Sequence, residues 1–270
     1  MLKTRHLPDT DKISVLAATT LLAYTLTRFA KFPPSEYAIQ LSWIYLVIQV
    51  DIRTLVSLLV AGLAAAGADW LVHQHPALES RSALQHWWLP ALTAWAIGIL
   101  LYGLPDNPIW WIGLIIGGIT LTLVLVAEYI TVDSDDIYHP LATAGLTALA
   151  FSLFLALSIS LHATGLRVFL LAPTMTITTA LVSLRVLLLR LHGRWAIVPA
   201  LTVALVSGQF SAALHYWPLS SIRFGLMLTG IVYALTGLVA NMAENRSMRQ
   251  TILEPTIIFL VLWGAAIWMP

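Results

Sequence analysis

Apolar runs of about 20 residues, the length an α-helix needs to cross a lipid bilayer, recur along this chain with only brief polar breaks. They cover residues 13–30, 52–72, 88–104, 109–130, 141–162, 166–190, 195–217, 222–242 and 251–268. Lipid offers backbone groups no hydrogen-bond partners, so such runs must be helical. A soluble protein can hide one apolar helix but still needs a charged surface, typically about 25% of its residues. Here only 10% of 270 residues are charged and 59% are hydrophobic, with a mean hydropathy of +0.84. Lipid must therefore be the solvent for most of the chain. The reading is all-α: a polytopic transmembrane helical bundle of about nine spans, one domain over 1–270 with no added soluble domain.

The first run starts only at Ile13, after a mixed-charge segment with Pro8, and no small-residue cleavage site follows it. It reads as a retained first helix. No lipidation motif is present: residue 2 is Leu2 and the end reads Trp268-Met269-Pro270. Between the first two runs, Leu41 to Val50 is apolar but short, rich in β-branched and aromatic residues, and followed by Asp51 and Arg53. It is too short to span, so residues 37–50 read as an interfacial or re-entrant segment. Pro105-Asp106-Asn107-Pro108, His192-Gly193-Arg194 and Pro218-Leu219-Ser220-Ser221 are tight breaks that force neighbouring helices antiparallel.

Basic residues set orientation. Lys3, Arg5, Lys12, Arg81, Arg190, Arg194, Arg246 and Arg249 fall on the N-terminal side, and Arg28, Lys31, Arg53, Arg167 and Arg223 on the other. The bias places the N-terminus inside and the C-terminus outside, as in a bacterial cytoplasmic membrane. Trp70, Trp87, Trp88, Trp110, Trp111, Trp195, Trp217 and Trp268 fall near run ends, where indoles bury the ring and hydrogen-bond at the headgroups. Gly113 and Gly117 form a GxxxG, and Ala61 to Ala68 is nearly all small. Small faces let helix backbones approach in lipid.

Ionisable residues inside spans are expensive and usually face the protein interior. Four form a candidate polar cluster on the cytoplasmic side: Asp69, Glu128, Arg185 and Glu254. Arg185 has only aliphatic neighbours in sequence, so a carboxylate from another helix, Glu128 or Asp69, is the expected partner. The plain alternative is a structural salt bridge or solvation at the interface. His73, His75, Asp133, Asp135, Asp136 and His139 could supply oxygen and imidazole ligands to a divalent metal. The spacing is loose, and carboxylates before Pro140 also suit a helix N-terminus. Ala68-Asp69-Trp70-Leu71 echoes Ala127-Glu128-Tyr129-Ile130, and each is followed by a polar loop and His-Pro. His215, beside Tyr216 and Trp217, could serve as an axial ligand to a metal, haem or tetrapyrrole, or simply as an interfacial hydrogen-bond donor. His162 is the other histidine near that face.

The exclusions are firmer. A net charge of +1 argues against nucleic-acid binding, which needs a basic patch. Cysteine is absent, which removes disulfides, thiol nucleophiles and thiolate metal sites. There is no GxSxG, P-loop, HExxH or strand-borne GxGxxG. The runs AGADWLVHQHP, VLVAEYI and ALHYWPL resemble those of an uncharacterised bacterial family of multipass membrane proteins. That resemblance covers most of the chain from the second run onward and implies a membrane bundle with no established activity. Two functional classes remain: a non-enzymatic accessory or scaffold protein, with a membrane-protein partner or a second copy, and a transporter or lipid-handling enzyme using the charged cluster. No cofactor can be named from the sequence.

Overall fold

The computed structural model describes residues 9–29, 35–41, 44–50, 52–78, 83–191, 193–244 and 247–269, with backbone alone for 35–41, 44–50 and 52–54. Among them are nine α-helices: α1 (Thr10–Phe29), α2 (Ile52–Val72), α3 (Trp88–Gly103), α4 (Pro108–Ile130), α5 (His139–Ala163), α6 (Val168–Arg190), α7 (Ile197–His215), α8 (Ser221–Ala243) and α9 (Met248–Trp268). A short 3-10 helix, Ala83–His86, precedes α3. Each α-helix coincides with one apolar run to within a few residues. Strands β1 (Ser35–Leu41) and β2 (Ile44–Val50) form an antiparallel hairpin with Ser35 opposite Val50.

Seven of the helices, α2 and α4 to α9, are long and apolar enough to cross a membrane. The chain is thus a helical bundle of integral membrane character, and the expectation of nine spans is two too many by this measure. The reasons are physical. Helix α3 has 16 residues, about 24 Å at 1.5 Å per residue, against a hydrocarbon core of about 30 Å. Helix α1 is long enough but carries five threonines with Asp11, Lys12 and Arg28.

The chain divides into two compact units, the first ending at Asp133 and the second starting at Ser134. In the first, α1 to α4 alternate in direction. Its core gathers Tyr24, Val60, Ala64, Ala94, Ile97, Leu121 and Leu125. The Tyr24 hydroxyl donates to the Ala94 carbonyl, so a polar group tethers α1 to α3 deep in the apolar interior. Close approach explains Gly98: a Cβ there would sit 3.0 Å from both Ser57 Cβ and Tyr24 Cε1. The GxxxG faces α3, since a Cβ on Gly117 would meet Ile97 Cγ2 at 2.9 Å. At the α4 start, Asn107 Oδ1 accepts from the Ile109 N–H at 2.9 Å, and Pro108 stands in the first turn, a standard N-terminus.

In the second unit α8 is the hub and touches α5, α6, α7 and α9. Helices α6 and α7 pack closely: Ser183 Oγ lies 3.4 Å from the Ala200 carbonyl oxygen. The turns on either side of α6 use Gly165 at φ 67° and Gly193 at φ 82°, a region closed to most side chains. Trp263 on α9 donates from Nε1 to the Met227 carbonyl at 3.1 Å. Helix α9 is the least covered, with 17% of its span buried against 39–50% for the other six.

Within each unit basic residues stand at both ends of the helices. Lys12 meets Gln74 at one end of the first unit, and Arg28 meets Asp106 at the other, at 3.7 Å. In the second, Arg190 stands with Glu244 and Arg223 with the Met269 carbonyl. Lys3, Arg5, Lys31, Arg81 and Arg246 lie outside the described residues.

Candidate functional site

The first unit concentrates its chemistry at the end where α2 and α4 finish and α3 begins. Two of the four charges expected to cluster, Asp69 and Glu128, sit here. Asp69 Oδ1 accepts from Trp87 Nε1 at 2.9 Å. Glu128 Oε2 lies 2.8 Å from His86 Nδ1, with side-chain exposures of only 1% and 2%. The acids of the two Ala-acid-aromatic elements thus meet consecutive residues, His86 and Trp87, at the entry to α3.

Local sequence builds this clasp. Helix α2 runs out at Val72, and the chain turns with His75 N–H donating to the Val72 carbonyl at 2.9 Å and Leu78 N–H to the His75 carbonyl at 3.0 Å. Val72, Leu78, Ala83 and Val132 bury together beneath the loop. The 3-10 turn then delivers His86 inward. Because α3 and α4 are antiparallel, the start of α3 lies beside the end of α4, where Glu128 projects.

Around the clasp, His73 Nδ1 lies 3.1 Å from Asp69 Oδ1, one turn further along the chain, and is largely exposed. His75 is buried, edge-on to Tyr129 at 4.6 Å, and its Nδ1 accepts from the Ala77 N–H at 3.1 Å. Lys12 lies over the Trp70 ring at 5.2 Å. A carboxylate buried to this degree is stable only when hydrogen-bonded or paired.

The other two charges belong to the second unit. Arg185 on α6 is 2% exposed, and Glu254 lies in the second turn of α9. That unit contains a network the sequence reading did not single out. Arg190 donates from Nε to Glu244 Oε1 at 3.1 Å and from its NH2 nitrogen to Asn241 Oδ1 at 2.7 Å. Asn241 Nδ2 in turn points to the Thr251 carbonyl at 3.5 Å. This ties the C-terminal ends of α6 and α8 to the start of α9. Arg190 had been weighed only as an orientation charge. A signal was present, since an Asn near the end of an apolar run must find partners.

Among the metal candidates, His73, His75 and Asp133 fall in the first unit and Asp135, Asp136 and His139 in the second. Asp136 has a local role: its Oδ1 accepts from the Tyr138 N–H at 2.7 Å at the threshold of α5, whose first turn holds Pro140. Among the described residues no three His, Asp or Glu side chains form a group that could hold a metal ion.

No curated protein and no solved structure matches the chain. One family model does match, over residues 32–269, which takes in the hairpin and α2 through α9. The chain belongs to that family, described as protein of unknown function (DUF5656).

Proposed function

We propose that this is a non-enzymatic accessory or scaffold protein of the membrane, its N-terminus inside a bacterial cytoplasmic membrane. What supports the reading is the use to which the acids are put. Asp69 and Glu128 are spent on neighbouring donors that fasten helix ends. The grooves lie away from these two acids, and one of about 660 Å³ includes Arg249, Gln250 and Glu254 in its lining. One of about 410 Å³ is lined by Met248, Arg249, Ile252, Leu253, Thr256 and Ile257 of α9. Another, of about 370 Å³, lies between α1 and α4 and is lined mainly by Ala17, Leu21, Ile115 and Ile119. A small-molecule site gathers a few polar groups in a concave pocket, and these shallow apolar grooves suit lipid tails or a neighbouring helix.

The second reading is a proton-coupled transporter or lipid-handling enzyme working through the Asp69, Glu128, Arg185 and Glu254 region. The observation in its favour is the buried His86–Glu128 pair, since intramembrane His and Glu commonly relay protons. Extraction into nanodiscs with native mass spectrometry, alongside proton-flux assays in proteoliposomes, separates the two. The scaffold reading expects a protein subunit at fixed stoichiometry, retained in Glu128→Gln, and no flux from the protein alone. Flux from the protein alone, abolished by Glu128→Gln while the fold persists, would overturn it.

A further inference from the structure

At the end of the second unit where α5 and α7 finish, two histidines from different helices face each other. His162 is in the last turn of α5 and His215 is the last residue of α7. Their ring centroids are 6.0 Å apart, with planes at 71°. The His162 ring stacks on Phe224 at 4.3 Å, and Phe224 is fully buried. His162 Nδ1 lies 3.1 Å from Ser221 Oγ, at the first turn of α8. Stacking and hydrogen bond together hold this ring in one orientation.

The Ser221 hydroxyl can accept from His162 Nδ1 or donate to it. When His162 donates its Nδ1–H to Ser221, its Nε2 keeps a lone pair. Metal-ligating histidines are oriented in just this way, through a hydrogen bond from the other ring nitrogen. His215 Nδ1 is enclosed by protein and makes no hydrogen bond. A polar atom withdrawn from water without a partner is costly, and a cation would satisfy its lone pair.

We propose that His162 and His215 hold a late first-row transition-metal ion, zinc or copper, at this end of the α5–α9 unit. The separation fits. With a metal–nitrogen bond of about 2.0 Å and a ring centre about 1.2 Å further on, two imidazoles on one ion stand roughly 5.2 Å apart at a tetrahedral angle and roughly 6.4 Å apart in a linear pair. The observed 6.0 Å lies between these limits. Imidazole nitrogen suits zinc and copper, and the chain has no cysteine to offer instead.

The test uses the full chain, without a polyhistidine tag, in nanodiscs. It is equilibrated with zinc ion or, under ascorbate, with cuprous ion, then dialysed against a weak chelator, and bound metal is counted by mass spectrometry. The expected result is about one ion per chain, lost in both His162→Gln and His215→Gln and kept in His73→Gln. Should the histidine variants fail to fold, Ser221→Ala decides, with an expected loss of affinity on the order of tenfold and an unchanged melt without metal. Metal retention indifferent to His162, His215 and Ser221, or no ion retained by the parent chain, overturns the site.

Discussion

Glu128 is the residue on which the first unit most depends. Its carboxylate is 1% exposed against a histidine that is 2% exposed, and stranding one member of such a pair costs about 3–5 kcal/mol. A double-mutant cycle over His86→Leu and Glu128→Leu, followed by thermal unfolding in detergent, should give a coupling energy above about 1 kcal/mol. Glu128→Gln, which keeps a hydrogen-bonding group, should cost less than Glu128→Leu. A coupling near zero would show that the two side chains are held by other neighbours and merely lie close. At this scale the sequence pointed to Asp69 and Glu128 as ionisable residues within spans but not to the side chains they meet. An acid at the end of a small-residue helix is visible by inspection. Its histidine lies 42 residues away in a loop, and only the antiparallel return of α3 beside α4 brings the two together. His162 and His215 posed the same difficulty: each was visible, and the turn geometry that joins them was not.

Among the elements, the helices were legible because their signal is redundant. Twenty apolar residues, bounded by tryptophans and turn formers, mark a span several times over. The errors came where redundancy fails. Helix α3 is short and α1 is diluted with threonine, so counting apolar runs put both on a par with the seven helices that meet the length and hydropathy of a span. Residues 37–50 read as too short to span, an interfacial or re-entrant segment; β-branched and aromatic residues such as Ile44, Tyr45, Val47 and Ile48 favour strands, and the backbone over 35–41 and 44–50 is a hairpin. A two-stranded hairpin leaves both outer edges unpaired, which hydrocarbon does not tolerate, so it belongs at the interface or in water. A hairpin also returns the chain to the side it left. Single cysteines at Ser35 and Arg53 should therefore react with an impermeant thiol reagent from the same face. Labelling from opposite faces would mean that this segment crosses the bilayer.

For the whole molecule, parity is what survives the revised count. Seven spans and nine spans both send the two termini to opposite faces, so the expectation of an inside N-terminus and an outside C-terminus is unchanged. Reporter fusions should show activity of a cytoplasmic reporter at the N-terminus and of an exported reporter at the C-terminus. Both ends on one face would require an even number of crossings, with α1 or α3 alone making the difference. The clasp at the entry to α3 also bears on how the protein is made. His86 leaves the ribosome 42 residues ahead of Glu128, which at about 5–20 residues per second is a delay of roughly 2–8 seconds. Through that interval α3, the shortest helix, has only α1 and α2 to lean on, and the acid that fastens its entry has not yet been synthesised. Biogenesis of the first unit is therefore committed only when α4 arrives, and a nascent chain halted between α3 and α4 is the form that membrane quality control should remove fastest.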